Sequence, residues 1–297
     1  MHKKFWIEQE QRERFRTLLL SILFGLTSAI TWGAGDFTGG LASRKTGPYR
    51  AVFYGEAIGL LLLFAVVFAT PQRMPDLKSI LLSIAAGALG TVGLMLLYSA
   101  MAQGKMSIAA PVSALLAAAL PVIVGMITDG FPGYLTLLGF AFALAAIWLV
   151  SQSDNRVKDI FTHLSDLRLP LLAGVGFGLY FILMNAATRQ TTLWPMVYSR
   201  SAGTLTMALF IVLRRESFAS VRAAWPVMIL NGILDVGGNF FYILAGQAGR
   251  LDISAVLSSL FPGSTVILAW IILKERLTRT QWLGIVAALI AIILFTV

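Results

Sequence analysis

Residues 87–115 read GALGTVGLMLLYSAMAQGKMSIAAPVSAL, and residues 232–260 read GILDVGGNFFYILAGQAGRLDISAVLSSL. The second stretch follows the first at a shift of 145 residues, and the register runs on without a gap to residues 150 and 295. Gly87 falls on Gly232, Gly93 on Gly238, Ala100 on Ala245 and Gly104 on Gly249. Ala110 meets Ala255, Ser113 meets Ser258, Leu115 meets Leu260 and Gly139 meets Gly284. Upstream, Val52 meets Val197 and Ala57 meets Ala202. The matched residues are small and apolar, so composition supplies some of the matches. The long unbroken register is what marks a duplication, and two related halves of apolar helices are the usual signature of a transporter.

The halves belong in lipid. Of 297 residues 58% are hydrophobic and 12% charged, and the mean hydropathy is +0.81. Long uncharged runs of this kind read as membrane spans. Ten spans are expected, at 17–40, 50–70, 79–102, 108–128, 133–152, 168–189, 193–213, 225–247, 252–273 and 280–297. Alternation with a period of two is absent, which argues against a β-barrel. The expected class is an all-α integral membrane protein with ten transmembrane helices as two inverted five-helix repeats. Five spans in a half is an odd number, so the second half enters the membrane upside down relative to the first. The expected division is a tail over 1–16, a first repeat over 17–152, a connecting loop over 153–167 and a second repeat over 168–297.

Composition excludes several classes. The chain has no cysteine and two histidines, His2 and His163, both in hydrophilic segments. A thiol nucleophile and a disulfide are ruled out, no His-based metal site is expected, and His163 reads as a solvated loop residue. The net charge of +9 sits on lysines and arginines at span ends, where they anchor helices to headgroups, so nucleic acid is not an expected partner. The charged start, MHKKFWIEQEQRERFR, is not a secretory signal, because no small-residue cleavage site follows a short apolar run. No P-loop is present, so this chain does not hydrolyse ATP, and no cofactor is expected. Ten spans put both termini on one side. Placing the termini inside leaves nine basic residues inside and thirteen outside. The first helix usually dominates topology, and its tail carries five basic residues, which favours cytoplasmic termini.

Polar groups inside spans are the candidates for function, because hydrocarbon penalises them unless a cavity or partner receives them. Asn231, Asp235, Asn239 and Tyr242 fall at i, i+4, i+8 and i+11, one face of a helix. That stripe offers a carboxylate, two amides and a phenol to a polar solute; its plainer use is glue between packed helices. Asp36 lies late in the first span, at the site or at the interface. Glu56 sits among small residues in the second span and Arg200 inside the seventh. An ion pair between them is one option, as gate or clamp, but Arg200 reads in preference as snorkelling to the headgroups. Either acid is a candidate proton-coupling group. Trp32, Tyr98 and Tyr180 are deep enough to wall a pocket; Trp194, Trp225 and Trp282 fall at span ends and suit the interfacial belt. Pro111 and Pro121 in span 4 and Pro262 in span 9 are expected to kink repeat mates, with Ser113, Ser258 and Ser259 close by.

The run SAVLSSLFP at 254–262, followed by LKERLT at 273–278 and QWLG at 281–284, resembles EamA-type members of the drug/metabolite transporter superfamily. AAPVSAL at 109–115 with Gly139, and WGAGDF at 32–37, are similar to the first half of such proteins. The resemblance covers nearly the whole chain beyond the tail. It implies two inverted EamA repeats, cytoplasmic termini and a central cavity lined mainly by spans 1, 3, 4, 6, 8 and 9. It also implies transport or export of small metabolites by alternating access. Glu275 departs from the pattern, since its repeat equivalent is Gly130 beside Asp129.

The expected function is therefore a secondary active transporter, an exporter, of a small polar organic metabolite across the cell inner membrane. Its expected partners are the bilayer and the solute, with the chain a monomer or homodimer. The rivals are a membrane-embedded lipid enzyme, for which the acids are too scattered, and a non-transporting scaffold or lipid-translocase subunit.

Overall fold

The fold was taken from a computed structural model that describes residues 2–70, 72–102, 106–150, 168–219, 222–273 and 277–296. In the first half, α1 spans His2–Thr46, α2 Pro48–Ala69, α3 Leu77–Ala102, α4 Met106–Thr128 and α5 Tyr134–Val150. In the second, α6 spans Arg168–Ala187, α7 Leu193–Leu213, α8 Trp225–Ala248, α9 Leu251–Ser258, α10 Phe261–Leu273 and α11 Arg279–Thr296. Seven apolar stretches are long enough to cross a bilayer, and Val112–Thr128, Tyr134–Val150 and Arg279–Phe295 are shorter apolar helices. Together they make the ten spans, because α9 and α10 form one interrupted span over Leu251–Ile272. Large apolar side chains such as Leu61, Phe68, Ile127 and Leu205 stay exposed along the outer faces, which suits lipid as the surrounding solvent.

Local chemistry sets the helix ends. Gly47 has φ 85° and donates its N–H to the Ser43 carbonyl at 2.9 Å, a left-handed C-terminal cap that only glycine adopts cheaply. Pro48 then opens α2, where a missing N–H costs nothing. The tail is not separate from the first span. A single helix runs for 45 residues from His2, and its apolar part is Phe15–Ser43. At about 1.5 Å per residue it exceeds the roughly 30 Å of a hydrocarbon core, so its charged end projects beyond the lipid.

The packing repeats itself across the halves. Helix α1 lies on α8 as its mate α6 lies on α3. Helix α6 packs on α4 as α1 packs on α9 and α10, while α2 meets its own mate α7 and α5 meets α11. Exchange of both halves leaves this contact pattern unchanged, which is the mark of a two-fold relation. Each half has an odd number of spans, so that axis lies in the membrane plane and the repeats are inverted.

Glycines at the repeat shift make the same contacts twice. A Cβ on Gly93 would strike the Phe177 ring at 3.2 Å, and one on Gly238 would strike the Trp32 ring at 2.4 Å. Phe177 and Trp32 are themselves repeat mates. Gly139 faces Leu294 and Phe295, while Gly284 faces Leu149 and Val150. Small residues let the helix backbones approach, which is how apolar helices associate inside lipid.

The prolines of the two repeat mates stand in different settings. Span 9 is interrupted at Ser259 and Leu260, between α9 and α10. Pro262 stands second in α10, a first-turn position that tolerates proline. Span 4 carries Pro111 and Pro121 inside α4, which runs unbroken from Met106 to Thr128.

Candidate functional site

Three helices from both halves bring opposite charges together between the bundles. Arg200 of α7 donates from its guanidinium to Glu56 of α2 at 2.9 Å, and its other terminal nitrogen pairs with Asp235 of α8. The Arg200 side chain is 7% exposed, so it does not snorkel to the headgroups. Helices α2 and α8 flank it with carboxylates, and a desolvated guanidinium takes those in preference to a distant interface. The expectation of a snorkelling arginine is overturned.

Close backbone approach makes room for this triad. A Cβ on Gly203 would lie 2.4 Å from the Thr91 hydroxyl and 3.0 Å from the Glu56 carboxylate. A Cβ on Gly59 would lie 2.7 Å from the Val236 side chain and 3.6 Å from the Arg200 guanidinium carbon. The polar network continues along α8. The Asn239 amide donates to the Asp235 carbonyl at 2.7 Å and to its carboxylate at 3.4 Å, and the Tyr180 hydroxyl donates to the Asn239 carbonyl oxygen. A chain thus runs from α6 through α8 and α7 to α2.

The network lines a cavity of about 110 Å³. Its acids are Asp36, Glu56 and Asp235, and its rings are Trp32, Phe177, Tyr180, Phe181 and Phe261. Gly87, Gly90, Thr91 and Ala117 give it a small-residue wall. Asp36 therefore faces the cavity together with the triad and does not end at the interface. The lining comes from α1, α2, α3, α4, α6, α7, α8 and α10, so both halves contribute.

Four of the sequence candidates lie elsewhere. Tyr242 is fully buried and donates its hydroxyl to the Phe181 carbonyl at 2.6 Å. Asn231 donates to the Gly35 carbonyl at 2.8 Å, so both ends of the α8 stripe hold helices together. Ser113 and Ser258 are wholly buried outside the cavity, and the Ser258 hydroxyl has no hydrogen-bond partner among the described residues. Tyr98 and Pro111 have side chains outside those described, and His163 and Glu275 lie outside the described residues altogether.

A second space was missed by sequence reasoning. A polar vestibule of about 700 Å³ lies at the ends of α2, α6 and α8, with Arg73, Asp129, Asn185, Arg189 and Gln247 among its walls. These residues sit at the termini side, Asn185 and Gln247 in the last turns of α6 and α8 and the others in the adjoining loops. Along α8 the order is Asn239 in the cavity, then Tyr242, then Gln247 in the vestibule; along α6 it is Phe181, Met184, Asn185. Tyr242 and Met184 are fully buried between the two spaces. The rings of Trp32, Phe181 and Tyr242 lie 4.7–5.9 Å apart by centroid and close that layer. Beside the vestibule, Arg250 donates to the Asp252 carboxylate at 2.8 Å and to the carbonyls of Asp129 and Gly130 at 3.2 and 2.8 Å. It ties the end of α4 to the start of α9.

A solved crystal structure superposes on 93% of this chain and 98% of its own, with a TM-score of 0.78 at 17% identity, which shows the fold. An uncharacterized protein of Methanocaldococcus jannaschii is 26% identical over 129 residues, covering 43% of this chain and 94% of that protein. The sequence matches the EamA-like transporter family twice, at residues 19–152 and 167–297. This multi-pass membrane protein, with its repeated helical halves, belongs to the EamA-like transporter family of the drug/metabolite transporter superfamily.

Proposed function

We propose that the chain is a secondary carrier that moves a small polar organic metabolite out across the cytoplasmic membrane, with both termini on the cytoplasmic side. Membrane transport follows from the family. The observation that supports the site is the Arg200 triad, which stands in the cavity at the seam of the two halves. Buried charges are costly in lipid and are kept where a pathway needs them.

The mechanism follows from where the triad is anchored. Glu56 belongs to the first half, Arg200 and Asp235 to the second. A solute or proton that reaches either carboxylate loosens its hold on Arg200 and so alters the contact between halves. The aromatic layer at Trp32, Phe181 and Tyr242 bars the cavity from the vestibule. Rocking of the halves opens that layer and closes the other end, which is alternating access about a fixed site. Asp235 and Asn239 border the solute, and Trp32 and Tyr180 wall it.

The test uses proteoliposomes loaded with a mixture of small polar metabolites. Faster loss of particular solutes than from protein-free vesicles, abolished by Arg200→Gln, is expected. Indistinguishable leakage from both vesicle types contradicts the reading and favours the scaffold.

A further inference from the structure

We infer that the cavity takes a small organic amine, with the ammonium held at Asp36 and the apolar body against the aromatic wall. This rests on the transport reading above and names the class of solute.

Charge decides first. Among the described residues the cavity is lined by three carboxylates and one guanidinium. Both terminal nitrogens of Arg200 are already engaged, one by Glu56 and one by Asp235. No cation is left for a carboxylate or phosphate, and an anionic solute would meet a surplus of negative charge. Asp36 differs from the other two acids. Its carboxylate has no hydrogen bond or ion pair among the described residues, yet it lines the same cavity. A carboxylate drawn away from water without a counter-charge is costly, and a cationic solute supplies that charge.

The neutral surfaces agree. A sugar or polyol needs a set of free donors and acceptors. Here Tyr180 donates to Asn239 and Asn239 to Asp235, so these groups serve each other. Apart from the hydroxyls of Thr91 and Ser199, what remains is ring surface, from Trp32, Phe177, Phe181 and Phe261, and ring faces attract ammonium groups. At about 110 Å³ the cavity is smaller than the roughly 150 Å³ of one that admits benzene, so it holds the ammonium head together with part of one ring or a short aliphatic chain.

Three probes share one ring and differ in head charge: phenethylammonium, phenethyl alcohol and hydrocinnamate. Thermal unfolding of the purified full chain in detergent is followed against each. Phenethylammonium alone is expected to raise Tm, saturably, with Asp36→Asn weakening its apparent affinity at least about tenfold. The head-group comparison is made on the unaltered chain and stands even if that variant does not fold. No response to the amine, an equal response to the alcohol or the carboxylate, or undiminished amine affinity in Asp36→Asn would overturn the inference. A response to the alcohol or the carboxylate alone removes the amine class and leaves the transport reading in place. That reading is tested separately by the sided labelling that closes the Discussion.

Discussion

Arg200 and Glu56 lie 2.9 Å apart with side chains 7% and 12% exposed, and this pair fastens α7 of one half to α2 of the other. Removing the cation leaves Glu56, 12% exposed, and the partly exposed Asp235 without their counter-charge. Arg200→Gln is expected to cost about 3–5 kcal/mol, the usual penalty for breaking a buried pair from one side. Glu56→Gln keeps the Arg200–Asp235 pair and should cost about 1–2 kcal/mol. Arg200→Gln combined with Asp235→Asn should cost less than the two single changes added, because the residues share one network. Chemical unfolding of the purified variants in detergent measures all of these. Strict additivity would mean that the triad is not coupled.

The repeat glycines give an ordered series. A Cβ on Gly87 would sit 1.9 Å from the Ser199 carbonyl oxygen, one on Gly232 2.9 Å from the Gly55 carbonyl oxygen, while Gly40 has open space. Backbone cannot yield as a flexible side chain can. Gly87→Ala should therefore be the most destabilising, at about 3 kcal/mol or more, and Gly232→Ala about 1–3 kcal/mol. Gly40→Ala should be neutral or mildly stabilising, since alanine favours helix. Tm values of the three variants check the order.

Arg250 and Asp252 tie the ends of α4 and α9 at the vestibule. The Asp252 side chain is fully buried and that of Arg250 is 28% exposed. Arg250→Gln strips the carboxylate of its partner and leaves the carbonyls of Asp129 and Gly130 without donors. The expected loss is about 3 kcal/mol, with faster proteolysis between α4 and α5. A variant with unchanged Tm and unchanged cleavage would show that the tie is dispensable.

One pH dependence has a definite sign. Asp76 stands just before α3 and accepts the Ser79 backbone N–H at 2.8 Å. Hydrogen bonds from the Ser79 side chain and backbone hold its carboxyl below the usual carboxylate range. A carboxyl depressed in the fold stabilises fully above its unfolded pKa and loses that contribution as pH falls through the folded value. The α3 end should therefore fray on acidification, and Asp76→Asn should flatten that response because asparagine caps without titrating. Hydrogen exchange at residues 77–80 below and above the carboxylate range reads the difference.

How much was legible differs from residue to residue. Periodicity and the register of 145 residues gave the spans and the duplication, since both are properties of local sequence. The α8 stripe was legible as a face but not as a site. Asp235 and Asn239 line the cavity, whereas Asn231 and Tyr242 are used up by Gly35 and Phe181. Helical spacing tells which residues share a face, not which neighbour satisfies them. Arg200 was misread for the same reason, because its carboxylates come from α2 and α8 and its own span shows neither. The vestibule escaped because its polar groups lie in separate loops and at the ends of α6 and α8, which only the fold assembles.

Alternating access requires a solvent-reachable hollow at the seam that opens to each side in turn. The chain has no cysteine, so a single Ser199→Cys in the cavity wall reports on it without background. Membrane-impermeant maleimide is applied to right-side-out and to inside-out vesicles, with denatured protein as the measure of full labelling. Modification of this cysteine from both faces of the membrane is expected. Labelling from one face only, or from neither while the denatured protein labels fully, would contradict it.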